Sequence, residues 1–351
     1  MAAFAGYFFM CLIFFLANGL LREGMTLDWE LDHESRLLGF IPIYYLLIHW
    51  TGMKKWVFWY GLAAGALCSV GYALIQAHML ASGNRITGPY NPIAFGNLTL
   101  VCAFMALSGI RYFYRRHPLL IIIPLLAVIG SILVAFLSGT RGTLFLIPIL
   151  TLLFLIQLGS FKYTWIYRII AILLILIPSV AYFQLSSVSV DDRLRDSLHD
   201  ARQFFSGERE KLQGEEAYRL RVWTEGWKIY KKHPLFGAGK DQFIPELRKN
   251  TGLKAPHLHN MFLEFLVSYG ILGPIALIAI LFTPLTILIP TIRQHYNNPH
   301  MVDTAFSGLS LISAFLVFSL TTCIFYKNIF IAIYIILLAT LFTIIKHEKC
   351  A

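Results

Sequence analysis

Long apolar runs divide this chain, and they limit its fold more than any other feature. Hydrophobic residues make up 57% of the 351 residues and charged residues only 14%, whereas a soluble globular domain usually carries about 25% charged residues. A run of about 20 apolar residues is long enough to cross the hydrocarbon core of a bilayer as an α-helix. The pattern therefore predicts an all-α fold, a polytopic bundle of membrane-spanning helices.

The hydropathy pattern predicts about ten such spans. They lie at residues 3–21, 37–53, 56–79, 94–110, 119–137, 143–159, 168–185, 259–292, 304–326 and 329–346. The run 259–292 is either one span or a short helix leading into a span. Basic residues concentrate in alternate short connections, including Lys54-Lys55 and 111–115, and the positive-inside rule assigns such connections to the cytoplasm. Both termini are then cytoplasmic. The external connections are 22–36, 80–93, 138–142, 186–258 and 327–328.

The spans and loops divide the chain into three parts. Residues 1–185 are predicted to form N-terminal transmembrane helices, 186–258 an external and mostly helical loop, and 259–351 C-terminal transmembrane helices. The first apolar run has no basic stretch before it, so it is predicted to be a span and not a secretory signal. Its abrupt start also fits a chain with one or more helices upstream.

Charge and cysteine content exclude several classes of function. The formal net charge of +10 would suit a nucleic-acid partner, but much of the basic excess lies in short loops between apolar runs, so no nucleic acid is expected. Cysteines occur in apolar runs or at the C-terminus, without CxxC spacing, which argues against a disulfide framework or a zinc site. They are Cys11, Cys68, Cys102, Cys323 and Cys350. No metal and no cofactor are expected.

The external loop contains a clear helical pattern. In residues 215–232, "EEAYRLRVWTEGWKIYKK", apolar and aromatic side chains recur at helical spacing. These are Leu220, Trp223, Trp227 and Tyr230. We expect a helix whose aromatic stripe lies on or near the membrane surface.

Arginines near the outer ends of spans are candidates for binding an anion. Arg141 stands between two spans and is flanked by Gly139 and Gly142, which would let a bulky ligand approach the backbone. A guanidinium suits bidentate contact with phosphate. The alternative is that Arg141 reaches to lipid headgroups.

Three further external arginines belong to the same class. Arg219 and Arg221 are two residues apart, so they point to different sides of the predicted helix, and Arg219 shares the side of Trp223, four residues on. Arg85 lies in another external loop. Taken singly, each is typical of a solvated or headgroup-contacting charge.

His259 is the side chain best suited to proton transfer, because an imidazole titrates near neutral pH. On a continuous helix it would share a face with Gly270, and Gly273 would continue that face. Small residues there let a neighbouring helix or lipid chain approach. Asn260 and Glu264 are four apart, a spacing at which their side chains can hydrogen-bond to each other, and this gives Glu264 a structural role. A capping role is the alternative for His259.

Motifs of other enzyme classes are missing from the sequence. It has no GxSxG, HExxH or phosphate-loop pattern, and no external DxD pair of the kind a metal-dependent transferase uses. What remains is a set of external arginines and one histidine. Together they suit an anionic, lipid-linked substrate and a hydroxyl group that must lose a proton.

Three motifs in order resemble those of the bacterial O-antigen ligases. They are Thr140-Arg141-x-x-Leu144, Arg219-x-x-x-Trp223, and His259-Asn260 followed after nine residues by Gly270-x-x-Gly273. The superfamily also holds O-antigen polymerases and bacterial O-linked oligosaccharyltransferases. The resemblance runs from roughly Gly83 onward. Ligases of this family usually have about twelve spans, so the resemblance too implies further helices upstream.

The resemblance implies transfer of a polysaccharide from undecaprenyl pyrophosphate to a sugar hydroxyl of lipid A-core, at the periplasmic face of the bacterial inner membrane. On this hypothesis Arg141 and Arg219 stabilise the pyrophosphate charge and His259 is the general base in an inverting, metal-independent reaction. Side chains or backbone positions expected to help bind substrate are Arg85, Asn260, Gly270 and Gly273. The partners are the lipid-linked donor, the lipid A-core acceptor and membrane lipids.

Other functions remain open at this point. A polymerase would take a second lipid-linked glycan as its acceptor, and a protein O-oligosaccharyltransferase would take a serine or threonine, with the same essential residues. A lipid-linked sugar transporter would bury charges deep within its spans, around broken helices. Here the candidate charges lie at the outer ends of spans.

Overall fold

The described part of the chain consists of helices joined by turns and short irregular segments. The computed structural model describes residues 36–50, 55–79, 85–140, 142–159 and 215–350, and these contain helices and no strand. The all-α fold class is confirmed. The predicted spans 3–21 and 168–185 lie outside the described residues, so the total of about ten spans stays a prediction.

Contacts between residues group the chain into two compact units. The first, here the span unit, has as its described residues those within 36–159 together with 284–318 and 327–350. The second, here the loop unit, has 215–283 and 319–326. The three-part division at 185 and 258 stays a prediction.

The span unit consists of apolar helices with short connections. They are α1 (Phe40–His49), α2 (Lys55–Met79), α3 (Pro92–Ser108), α4 (Ile110–Arg116), α5 (Ile122–Leu137), α6 (Gly142–Leu158), α11 (Leu285–Gln294), α12 (Pro299–Thr321) and α13 (Asn328–Cys350). Helices α2, α3 and α5 pack against one another, and α13 packs against α1. Side chains that are apolar all round suit helices buried in lipid and protein.

Five helical segments among the described residues are long and apolar enough to cross a membrane. They are Lys55–Met79, Pro118–Leu137, Leu272–Gln294, Pro299–Thr321 and Asn328–Cys350. The pair α3 and α4, bent by 54°, would make a sixth. The chain is a multi-pass membrane protein.

An ion pair lies in the interior of the span unit. The guanidinium of Arg111 donates from Nε to Asp303 Oδ1 at 2.7 Å, and Gln157 Nε2 donates to the same oxygen at 2.6 Å. A charge in an apolar interior persists where it is paired and hydrogen-bonded. Arg111 is therefore a buried structural residue, whereas Arg115 and Arg116 of the same basic cluster are exposed.

The loop unit contains four helices: α7 (Glu215–Lys232), α8 (Lys240–Thr251), α9 (Met261–Tyr269) and α10 (Leu272–Phe282). Helix α7 has the bounds that the amphipathic pattern predicts. It packs against α8 and α9, and α9 packs against α10. Their shared core includes the fully buried side chains of Val222, Phe243, Leu247 and Leu258.

The face of α7 that packs inward differs from the predicted stripe. Val222 and Ile229 are buried in the core of the loop unit, and Trp223 and Tyr230 pack against its edge. Trp227 is 47% exposed. The side of α7 that faces the core is centred on Val222. The predicted aromatic stripe is therefore only partly packed against protein, with Trp223 and Tyr230 at the core and Trp227 at the surface.

The predicted run 259–292 is a short helix leading into a span, the second of the two forms that the sequence allows. Helix α9 ends at Tyr269, and Gly270 has a positive φ of 67°, a conformation that glycine adopts without strain. The membrane span begins after this break, at Leu272. The expectation that His259 and Gly270 share a helix face is wrong, because neither residue is inside α9.

Candidate active site

His259 occupies a turn directly before α9. Its φ of 55° is the one positive value at a non-glycine residue in the described part of the chain. A left-handed backbone costs an L-residue roughly 1–2 kcal/mol. Such residues cluster at functional sites, where the surroundings hold them in place. The conformation singles out His259 on grounds independent of any motif.

The peptide groups before His259 are held from two helices. Leu258 N–H donates to Glu264 Oε2 in α9 at 2.6 Å, and Leu258 C=O accepts from Trp223 Nε1 in α7 at 2.6 Å. The side chain of Leu258 is fully buried. His259 N–H donates to His257 Nδ1 at 3.3 Å. The N–H and C=O of Leu258 and the N–H of His259 therefore each have a partner.

The imidazole of His259 is half-buried among aromatic rings. Its ring centroid lies 5.8 Å from that of Tyr218 and 4.1 Å from that of His257. Burial raises the pKa of Tyr218, and the Arg248 guanidinium acts in the opposite direction. Arg219 follows Tyr218 in α7 and is also half-buried. The structure thus brings Arg219 and His259 into the same small unit.

Asn260 is the N-cap of α9. Its Oδ1 accepts from Leu263 N–H at 3.1 Å, and its Nδ2 donates to Leu320 O at 3.3 Å. An N-cap asparagine satisfies a donor that the first helical turn leaves unpaired. The predicted side-chain bond between Asn260 and Glu264 is wrong, because the Glu264 carboxylate turns back to Leu258.

Glu264 lies fully buried in the same helix. Burial raises the pKa of its carboxyl to about 7, against the lowering effects of the Leu258 N–H and the Lys240 ammonium. Sequence reasoning gave Glu264 a structural role with the wrong partner, Asn260 in place of the Leu258 N–H. The available signal was a single acidic residue inside the apolar run "MFLEFLV", since a carboxylate in such a run needs a polar partner.

Gly270 and Gly273 allow the backbone to pack closely. A Cβ at Gly270 would lie 2.2 Å from Leu235 O, and one at Gly273 would lie 2.2 Å from Phe265 O. Ile271 N–H donates to Pro234 O at 3.0 Å in the same region. The space that side chains would need is occupied by protein backbone. A contact of either glycine with substrate stays a prediction.

The span unit contains a second turn that carries motif residues. Arg85 Nη2 donates to Gly139 O at 2.8 Å, and Ile86 N–H donates to Leu137 O at 3.2 Å. Gly139 has a φ of 64°. The predicted external connections 80–93 and 138–142 therefore meet at Arg85.

Thr140 is locked beside this turn. Its hydroxyl lies 2.6 Å from Ser138 Oγ and donates to Pro92 O at 3.3 Å. A Cβ at Gly96 would lie 2.8 Å from Thr140 Oγ1, so α3 needs glycine there. Arg141 itself lies outside the described residues, and its role stays a prediction. The helix that follows it, α6, begins at Gly142.

Metal-ligating side chains do not cluster in the described part of the chain: no three His, Cys, Asp or Glu residues there are grouped as ligands. The predicted metal-free reaction stays a prediction.

Comparison with known proteins agrees with the motifs. Residues 125–278 match the family model described as O-Antigen ligase, and this region contains all three motifs. The chain is also 26% identical over 303 residues to an uncharacterized protein of Haemophilus influenzae, a match that covers 84% of this chain and 73% of that protein. The resemblance drawn from the motifs is confirmed for the superfamily.

Proposed function

We propose that this chain, whose residues 125–278 match the O-antigen ligase family, is a glycosyltransferase that joins a polysaccharide to lipid A-core. The donor is the glycan linked to undecaprenyl pyrophosphate. The acceptor is a sugar hydroxyl of lipid A-core, and the reaction takes place at the periplasmic face of the inner membrane. The observation that carries the proposal is His259, held half-exposed at a strained turn beside α7.

His259 acts as the general base. Its imidazole takes the proton of the acceptor hydroxyl while the hydroxyl oxygen attacks the anomeric carbon of the donor. The bond from that carbon to the pyrophosphate oxygen breaks, and undecaprenyl pyrophosphate leaves. Attack from the opposite face inverts the anomeric centre. Partial exposure of the ring allows it to meet a substrate.

Arginines stabilise the charge that develops on the leaving group. Arg219 and Arg141 are assigned to the pyrophosphate, because a guanidinium matches phosphate oxygens in geometry as well as in charge. Arg85 is exposed, and Gly139 O accepts one of its five N–H donors. The remaining N–H groups of Arg85 suit a further anionic or hydroxyl group of the lipid-linked glycan.

The test is transfer in vitro with purified protein, lipid-linked O-antigen and lipid A-core, with EDTA present throughout. We expect wild type to make ligated lipopolysaccharide. His259→Ala, Arg219→Ala and Arg141→Ala should each lose at least about 100-fold in kcat. Arg221→Ala is the matched control, since it removes a guanidinium from the same helix, two residues away, and should keep its activity.

Two results would overturn the proposal. Lengthening of the lipid-linked glycan in place of transfer to lipid A-core would make the protein a polymerase. Full activity of folded His259→Ala would remove the base from the mechanism.

A further inference from the structure

Trp223 and Glu264, which belong to two different helices, both hydrogen-bond to the backbone of Leu258. Trp223 Nε1 binds its carbonyl and Glu264 Oε2 binds its N–H, both at 2.6 Å. We propose that Trp223 and Glu264 are positioning residues: they hold Leu258 so that His259, the next residue, presents its imidazole to the acceptor hydroxyl. The inference rests on the proposed function of His259 as the base.

The turn needs such restraint because its backbone is strained. A left-handed conformation at His259 lies roughly 1–2 kcal/mol above the ordinary helical or extended regions, so a free chain would leave it. Rotation away from this conformation would move the peptide groups of Leu258, and both are fixed. Leu258 is also fully buried in the core of the loop unit, which prevents the segment from moving as a whole.

Helix α7 then carries two functions on one side. Arg219 and Trp223 are four residues apart, so they lie on the same side of the helix. The side chain assigned to the pyrophosphate and the side chain that holds the base therefore share one rigid element. This gives a physical reason for an aromatic donor four residues after the arginine.

Glu264 cannot itself meet a substrate, because it is fully buried. Its function is to accept a hydrogen bond. The carboxyl lies near Cys323, with Sγ 3.6 Å from Oε2, and near the Lys240 ammonium, which lowers its pKa. An amide oxygen at this position could accept from Leu258 equally well, whereas an apolar side chain could not. That difference makes the role testable.

The first pair of variants isolates the indole N–H. Trp223→Phe keeps an aromatic ring but removes the donor, and Trp223→Tyr offers a hydroxyl donor on a similar ring. We expect Trp223→Phe to lose at least about tenfold in kcat, because small misplacements of a catalytic group are costly. The KM for the lipid-linked donor should stay within about twofold, and Trp223→Tyr should recover part of the loss. Trp227→Phe, on the exposed side of α7, is the control and should match wild type.

The second pair isolates the acceptor. Glu264→Gln keeps an oxygen for Leu258 N–H and should keep most of the kcat. Glu264→Leu has a similar size and no acceptor, and should lose at least about tenfold in kcat at unchanged donor KM. Glu246→Gln is the control, since Glu246 pairs with Lys232 on the surface.

The outcomes separate this inference from the proposed function. If wild type fails to ligate, or if His259→Ala remains fully active, the proposed function fails. If wild type ligates and His259→Ala does not, while Trp223→Phe keeps its kcat or loses it together with Trp227→Phe, the positioning role is overturned. If Trp223→Phe does not fold, the Glu264 pair decides, and equal kcat for Gln and Leu overturns the role.

Discussion

Two helices, α6 and α9, begin after turns that share one backbone feature and differ in the residue that adopts it. Before α6 the left-handed position is Gly139, and before α9 it is His259. Glycine takes this conformation at little cost, whereas histidine is strained there by roughly 1–2 kcal/mol. The difference agrees with the proposal that His259 acts through its side chain.

The two turns are also held differently. At Gly139 backbone bonds within the turn, including Gly139 N–H to Phe136 O at 2.8 Å, are joined by one side-chain bond to the Gly139 carbonyl, which comes from the long and exposed Arg85. At His259 the restraint acts on Leu258, which is buried and bound through both its N–H and its C=O. We expect a substitution at the Gly139 turn to be accommodated by movement of Arg85. A substitution at the His259 turn should cost more stability or activity. The predictions below test that difference.

The largest effect is expected from replacing His259. His259→Gly and His259→Ala should both lose about 100-fold to 10,000-fold in kcat, because both remove the base. They should differ in stability: the glycine variant relieves the backbone strain and should be about 1 kcal/mol more stable than the alanine variant. Chemical unfolding in detergent measures the difference. Equal stability of the two variants would show that the turn carries no strain.

Gly270→Ala should have the second largest effect. Its Cβ would lie 2.2 Å from Leu235 O, and backbone cannot move aside as a side chain can. Gly252 has nearly the same φ, 68° against 67°, with nothing within 4 Å of the Cβ position. Its ψ of 5° differs from the −158° of Gly270, which belongs to a region that only glycine adopts readily. Gly252→Ala therefore measures the cost of an ordinary left-handed residue without any close approach. We expect Gly270→Ala to be less stable than Gly252→Ala by about 1–3 kcal/mol, and equal losses would show that the close approach is not rigid.

The stability of the His259 turn should depend on pH, in contrast to the Gly139 turn, because the buried carboxyl of Glu264 lies beside it. The Glu264 pKa is raised to about 7 from 4.5 by burial, so the folded state holds a proton that the unfolded state releases. The contribution of the Glu264 carboxyl to folding stability is fully present below its unfolded-state pKa of 4.5. This contribution is lost as the pH rises through its folded-state pKa of about 7. Glu264→Gln should thus unfold at a higher temperature than wild type at pH 8, by several degrees, and near wild type at pH 4.5. A difference independent of pH would contradict this.

The smallest effect should follow Gly139→Ala. Its Cβ would lie 2.6 Å from Arg85 Nε, but a guanidinium at the end of a flexible side chain can move. The remaining cost is the left-handed backbone, about 1 kcal/mol. The double variant with Arg85→Ala should be no more stable than Gly139→Ala alone. A clear recovery in the double variant would show that Arg85 is held as firmly as Leu258.

Much of the fold could be predicted because it depends on local hydropathy. The predicted runs 56–79 and 119–137 correspond to the candidate spans Lys55–Met79 and Pro118–Leu137, and 215–232 matches α7. At 259–292 the sequence left open one continuous span or a short helix leading into a span, and the structure has the short helix followed by the span. There the break depends on Gly270, whose φ and close contact with Leu235 depend on a loop distant in sequence.

Part of the site could be predicted as well. His259 and Arg219 were identified by residue chemistry and by the resemblance, and the structure brings both into the loop unit. The partners of Leu258 could not be identified, because Trp223 was interpreted as a membrane-facing side chain and Glu264 as a partner of Asn260. Both interpretations assumed neighbours along one helix, whereas the observed partners lie across a turn.

The sequence by itself determined the membrane class, the approximate positions of several helices and the residue types available for chemistry, since apolar periodicity and titrating side chains are properties of short segments. Only the tertiary structure decided which atoms meet. The bond between Trp223 and Leu258 joins residues 35 apart, and its existence depends on α7 packing against the segment before α9. Close packing fixes such contacts to within fractions of an ångström, and no local pattern in the sequence encodes them.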